Sequence, residues 1–259
     1  MKNKHRLSGK VLSSLVLAAF ITGLSGCATV ANDPRDPWEG WNRGVQTFND
    51  KVDQYAMKPV AKGYRWITPS FVDRGVTNFF SNIDDIGVTI NDLLQFKLKQ
   101  GGLDAGRFVV NTVAGVAGFV DVASMINLPK HNEDFGQTLG AWGVATGPYL
   151  VLPFFGPNSP RDTLGLVGDA AMNPVTYVDI TGVRVGLFAL KAIDTRADNL
   201  GTTEIADEAA VDRYEFYRDS YIQRRRYLVY DGNPPIDGEE EYELDEEFES
   251  EEMAPVKPF

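Results

Sequence analysis

Residues 36–55 read Asp-Pro-Trp-Glu-Gly-Trp-Asn-Arg-Gly-Val-Gln-Thr-Phe-Asn-Asp-Lys-Val-Asp-Gln-Tyr, and this stretch decides how the rest of the chain is read. Trp38, Trp41, Val45, Phe48, Val52 and Tyr55 recur at alternating spacings of three and four, which lays them in one stripe along a helix. Asp36 is placed to cap that helix, Pro37 suits its first position, and Glu39 stands where a capping box wants a carboxylate. Glu39 and Arg43 fall four apart in the favourable order. The first element is therefore an amphipathic helix with a broad aromatic face.

The same signature continues downstream. From about Phe71 to Leu98, residues Val72, Val76, Phe79, Phe80, Ile83, Ile90 and Leu94 share one side of a second helix. Phe108 to Ala123 is almost wholly apolar apart from Asn111 and Asp121, yet at 16 residues it is too short to span a bilayer. Within it, Ala114 and Gly118 are spaced to let two helices approach closely. Gly136, Gly140, Gly143 and Gly147 weaken any straight helix, so a bent helix or a hairpin is expected there. Ser159-Pro160 reads as the cap and first turn of a helix through Met172. Val183 to Asn199 forms another helical pattern. A long one runs from about Thr203 to Tyr230, with Tyr214, Tyr217 and Tyr221 interleaved among Arg213, Arg218 and Arg224. No strand alternation and no internal repeat stand out, and the chain reads as mostly α. The wide apolar faces fit either a water-soluble bundle, which pattern alone favours, or helices lying against lipid.

The two ends differ from the body. Lys2, Lys4, Arg6 and Lys10 precede an apolar run from Val11 to Leu24, which has the length of a secretory h-region. Leu24-Ser25-Gly26-Cys27 then looks like a bacterial lipobox, so residues 1–26 are expected to be cleaved and Cys27 to carry the lipid. Ala28 and Thr29 follow where an inner-membrane retention aspartate would stand in enteric-type bacteria, which points to the outer membrane. Cys27 is the only cysteine, so no internal disulfide forms. Residues 27–35 make the acylated start and linker, 36–232 the helical domain, and 233–259 an acidic tail. From Asp237 onward the tail holds eleven acidic residues against one lysine, which accounts for nearly all of the net charge of −11. It reads as a solvated segment, or else as a docking tail for a basic partner. With so little positive charge elsewhere, nucleic acid is excluded as a partner.

Catalytic chemistry is hard to assemble. His131 is the only histidine outside the leader, no Gly-x-Ser-x-Gly elbow occurs, and no phosphate-loop or dinucleotide fingerprint is present. One histidine and one acylated cysteine do not build a zinc site. The neighbouring acids Asp84/Asp85 and Glu133/Asp134 read as solvated helix faces, and His131 as a surface or capping residue. The chain is expected to be neither an enzyme nor a carrier of cofactor or metal.

Taken together, several blocks resemble the MlaA (VacJ-like) outer-membrane lipoproteins. These are Asp36 to Arg43 with Phe48-Asn49, Arg107 to Thr112, Gly115 to Ala123, Phe135 to Gly140, Gly147 to Tyr149, Leu152 to Gly156, and Arg161-Asp162. The resemblance covers about residues 36–230. It implies amphipathic helices forming a membrane-embedded ring or disc around an amphipathic channel. It further implies removal of phospholipids that stray into the outer leaflet, association with a trimeric porin, and transfer to a soluble periplasmic carrier that serves an inner-membrane ABC transporter. Asp36, Pro37, Glu39, Asn42, Arg43, Phe48 and Asn49 match the family's N-terminal motif. Gly140, Gly143, Gly147 and Pro148 fall in a stretch similar to a family hairpin that controls the channel, here with fewer glycines than some relatives show. The alternative is a non-transporting scaffold lipoprotein bound to porins.

Overall fold

The computed structural model describes residues 33–235; the expected leader, Cys27 and the acidic tail from 236 on lie outside the described residues. Helix α1 (Glu39–Val52) passes through a π-helical turn (Asp53–Met57) into α2 (Lys58–Ile67), so the chain runs from Glu39 to Ile67 without a loop. Pro69 stops α2 and precedes α3 (Ser70–Leu94), the longest element, which packs along α4 (Leu98–Val113). A one-turn helix α5 (Val122–Met125) leads to α6 (Phe135–Ala141), then to a hairpin of β1 (Leu150–Leu152) and β2 (Gly156–Asn158), paired antiparallel with Val151 opposite Pro157. Helix α7 (Pro160–Met172), a 3-10 turn (Pro174–Tyr177), α8 (Thr181–Asp198), α9 (Leu200–Ala209) and α10 (Arg213–Val229) complete the domain.

The mostly α architecture is as the spacing predicts, and Ser159 caps α7 as expected by accepting from the Asp162 N–H at 3.1 Å. Four local expectations need correction. Asp36 does not cap α1: its carboxylate is fully buried and accepts instead from Asn42 Nδ2 at 2.8 Å and from the Tyr214 hydroxyl. The apolar run 108–123 is not one helix. It ends α4 at Val113 and turns back through Val116, Ala117 and Gly118, all in the left-handed region, with Gly118 N–H donating to the Asn111 carbonyl at 2.9 Å. Ala114 and Gly118 therefore join no two helices. The close crossing lies instead between α6 and α7, where a Cβ on Gly165 would stand 2.6 Å from the Gly136 nitrogen. The long C-terminal helix is broken, because Asp212 caps a new start by accepting from the Tyr214 N–H at 2.8 Å. Lastly, Asp85 is fully buried and Glu133 nearly so, which makes these two interior groups rather than solvated faces, whereas Asp84 and Asp134 stay partly exposed and pair with Lys191 and Arg225.

That last correction is general. Among the described residues, seventeen polar or charged residues are buried against eleven hydrophobic ones, while thirty-five large hydrophobics are exposed. Trp66 is 87% exposed and Phe96 85%. A water-soluble monomer places charge outside and apolar bulk inside, and large contiguous apolar surface marks a contact with lipid or another protein. Yet no described helix is long and apolar enough to cross a membrane.

The interior is held by pairing. Arg107 lies in the α3–α4 seam and donates to both Asp121 oxygens at 3.1 and 3.2 Å and to Ser124 Oγ at 3.2 Å. Its Nε stands 3.6 Å from Asp85, which also takes the Lys130 ammonium. On the same seam, Asp104 meets His131 Nδ1 at 3.0 Å. Burial, and then the adjacent Asp104 carboxyl, raise the Asp92 carboxyl above the ordinary carboxylate range. No described donor reaches either Asp92 oxygen. Removing one partner of a buried ion pair costs about 3–5 kcal/mol, whereas exposed substitutions stay within about 0.5 kcal/mol. Arg107→Met is thus expected to lose roughly that larger amount in chemical unfolding in detergent, and Trp66→Ala almost nothing. Equal losses would contradict an interior held by charge.

Candidate functional site

Two polar residues on one face of α1 set the geometry of the hairpin. Asn42 donates from Nδ2 to the Tyr149 carbonyl at 3.0 Å and accepts the Val151 N–H on Oδ1 at 2.8 Å. Asn49, two turns later, donates to the Leu152 carbonyl at 2.9 Å and accepts the Phe154 N–H at 2.8 Å. Each carboxamide does for β1 what a neighbouring strand would do, so α1 serves as a rail along the hairpin edge. Around this rail pack Val45, Tyr149, Val151 and Tyr214, one of the few apolar clusters among the described residues. Phe48 meets Phe154 edge-on at 5.3 Å between ring centroids. Arg43 lies 4.2 Å over the Tyr214 ring, donates to Glu39 at 2.7 Å and reaches Asp212 at 3.0 Å. Pro37 belongs to the turn that brings Asp36 under Asn42. The structure thus gathers the predicted N-terminal motif into one place, as a brace between α1, the hairpin and α10.

Beyond the brace, a cavity of about 820 Å3 opens between α1, the π-helical turn, the hairpin tip and helices α8–α10. One part of its wall is apolar, with Val52, Met57, Phe154, Phe155 and Phe188. The other carries paired charge. Arg196 grips Asp53 through two contacts, Nε to Oδ1 at 2.6 Å and Nη2 to Oδ2 at 2.8 Å. Arg213 bridges Asp50 at 3.2 Å and Asp207 at 2.7 Å, and Lys191 reaches across to Asp84 at 2.6 Å. Burial lifts the Asp50 carboxyl above its ordinary range against the pull of Arg213. Such a wall suits a molecule with an apolar body and a charged head. Sequence reasoning missed Asp53, Lys191 and Arg196. Their only signal was the interruption of an amphipathic pattern by charge, which a solvated face also produces.

The predicted glycine gate lies elsewhere. Gly140, Gly143, Gly147 and Pro148 line a second cleft of about 630 Å3 between the loop before β1 and the C-terminal half of α10. Gly143 and Gly147 adopt φ of 86° and 76°, conformations that glycine takes freely, and a Cβ on Gly147 would press on the Pro160 ring at 3.1 Å. Behind this cleft, burial alone would raise the Asp134 and Asp162 carboxyls, but the Arg225 guanidinium holds both below the usual range. Among the described residues no group of three potential metal ligands converges.

Comparison with known proteins fits this geometry. The family model described as MlaA lipoprotein matches residues 34–228. A Shigella flexneri protein named intermembrane phospholipid transport system lipoprotein MlaA is 37% identical over 228 residues, covering 85% of this chain and 89% of the relative. A Haemophilus influenzae protein of the same name is 32% identical over 232 residues, covering 86% and 92%. A solved structure concerned with maintenance of bacterial outer membrane lipid asymmetry aligns with a TM-score of 0.67 at 33% identity, over 75% of this chain and 98% of its own.

The rail makes a local prediction. In Asn42→Ala the Val151 amide should lose hydrogen-exchange protection, and in Asn49→Ala the Phe154 amide should lose it, while the α3–α4 seam keeps its own. An orphaned buried backbone group costs about 1–3 kcal/mol, so Asn42→Ala, with both partners buried, is expected to be the more damaging. Unchanged protection at Val151 would remove the rail from the account.

Proposed function

The chain belongs to the MlaA lipoprotein family, and we propose that it withdraws phospholipids from the outer leaflet of the outer membrane and passes them to a periplasmic carrier. The observation that carries this reading is the pairing of an apolar exterior with a charged interior around an amphipathic cavity. Trp66, Phe71, Phe96 and Val113 face outward where acyl chains would surround them. The helices then lie within the membrane as a ring or disc, and the Cys27 lipid is a second attachment on the periplasmic side. A trimeric porin would cover part of the apolar rim, and an inner-membrane ABC transporter would receive the lipid from the carrier.

The physical obstacle to moving a phospholipid is its headgroup, because a charged group in hydrocarbon is costly. In the larger cavity, Lys191, Arg196 and Arg213 offer cationic partners to a phosphate, and Val52, Phe155 and Phe188 offer apolar wall to the chains. Each of these cations already has a carboxylate partner, so a phosphate competes with that carboxylate instead of filling an empty site. Binding of that kind is weak and spread over several stations, which permits release as well as entry. Gly143 and Gly147 supply the backbone freedom for a gate next to Pro148. The family is one of transport lipoproteins, and no step of this passage requires a catalytic group.

Deleting the gene should raise surface-exposed phospholipid, read as increased palmitoylation of lipid A, and the wild-type gene should restore it. Ala192→Trp, which places an indole in the larger cavity from an exposed position, should be exported and anchored normally and yet fail to restore it. No rise on deletion counts against transport altogether. Full rescue by Ala192→Trp would move the path away from this cavity.

A further inference from the structure

The smaller cleft has a lining unlike the larger one. Its charged residues are Arg35, Arg161, Arg225 and Arg226, with no acid among them, and its remaining wall is largely apolar. Arg35 is paired with Asp33, and Arg225 with Asp134 and Asp162. Arg226 donates to the Pro235 carbonyl. Arg161 is different. It is only 4% exposed, its Nε donates to Asp162 Oδ1 at 3.0 Å, and its Nη2 is buried without a hydrogen-bond partner among the described residues.

The neighbouring carboxylates are already committed. Asp162 Oδ1 also takes Arg225 Nη2 at 2.9 Å, and Asp162 Oδ2 takes the Tyr221 hydroxyl at 2.5 Å. Asp134 is held by Arg225 at 2.5 and 2.9 Å and by the Gln137 N–H at 2.8 Å. A second residue of the lining carries an unmatched donor: the Tyr149 hydroxyl is buried, on a residue 2% exposed, and has no hydrogen-bond partner among the described residues. Gly140 leaves the room that this arrangement needs, since a Cβ there would stand 3.0 Å from Arg161 Nη1 and 2.8 Å from Val229. A buried guanidinium nitrogen and a buried phenol are each costly to leave unpaired, and both donate to the same kind of acceptor.

We propose that this cleft binds a phosphate-type oxyanion, with Arg161 and Tyr149 as its donors and Arg226 at its rim. The apolar wall of Val144, Ile222 and Val229 makes a phospholipid headgroup, with its glycerol and first methylenes alongside, the ligand that fills it. The oxyanion chemistry stands on the cleft alone; the lipid as its source rests on the transport reading. The cleft then holds a headgroup tightly beside the glycine loop, whereas the larger cavity holds it loosely among paired charges.

The test uses the purified full-length lipoprotein, delipidated in a phosphate-free detergent. The probes are inorganic phosphate and short-chain phosphatidylglycerol below its micelle concentration, with diacylglycerol of the same chains as the control. Calorimetry is expected to show binding of phosphate and of phosphatidylglycerol but not of diacylglycerol. Arg161→Gln should weaken both by at least about tenfold, which is about 1.4 kcal/mol. Because Arg161 also braces Asp162, a second variant, Ala145→Glu, introduces a carboxylate into the cleft from an exposed loop position and should weaken both as strongly. Phosphate binding without phosphatidylglycerol binding would support the oxyanion site and overturn the lipid as its source, leaving transport to be judged by the rescue assay. Absence of both, or binding that neither Arg161→Gln nor Ala145→Glu alters, would overturn the proposal and leave water as the partner of these donors.

Discussion

A charged group shut away from water has to be paired, and in this protein that constraint replaces the hydrophobic core as the organiser of the fold. Arg107, Asp85, Asp121 and Lys130 knit α3 to α4 and to the segment that follows α5. Lys191 to Asp84 and Tyr64 to Asp194, the latter at 3.0 Å, tie α8 to α3 and to α2. Asp36, Asn42 and Tyr214 tie the start of the domain to its last helix. Where lipid tails are the surroundings, apolar side chains gain little from turning inward, and packing with polar pairing has to hold helices together instead. The outward-facing aromatic and aliphatic residues follow from the same condition.

This condition also explains what could be read from the sequence. Helical spacing located α1, α3, α7 and α8 to within a few residues, because an amphipathic stripe has the same period whichever way its apolar side faces. The pattern carries no sign for inside and outside. Spacing alone therefore favoured a soluble bundle, and only the resemblance to a lipoprotein family placed those faces against lipid. The breaks were less legible. The turn at Val116–Gly118 puts a valine and an alanine in the left-handed region, residues that carry no turn signal, and it is held by backbone hydrogen bonds back to Asn111 and Thr112. The break before Asp212 did carry one, an aspartate three residues ahead of Glu215 within a run otherwise rich in helix formers. Asp36 misled for the opposite reason: its local context is that of a cap, and a contact with Tyr214, 178 residues away, takes precedence.

The candidate sites show the same division. The motif residues Asn42, Arg43, Phe48 and Asn49 are singled out by the family resemblance, whose motif is compact in sequence, and the structure keeps them together as the brace of the hairpin. Neither cavity was legible, since each draws its wall from segments far apart in the chain. Residues 151–157 contribute to one and 144–149 to the other, so a hairpin held by α1 stands between an amphipathic chamber and an arginine-lined cleft.

An interior organised by charge pairing requires that the apolar exterior lie in lipid. This requirement is tested most directly with a variant that keeps Trp66 and replaces Trp38, Trp41 and Trp142 by phenylalanine, reconstituted into bilayers whose acyl chains carry bromine. The account predicts strong quenching of Trp66 fluorescence by the brominated chains and little by aqueous iodide. Quenching by iodide alone would place that face in water and contradict it.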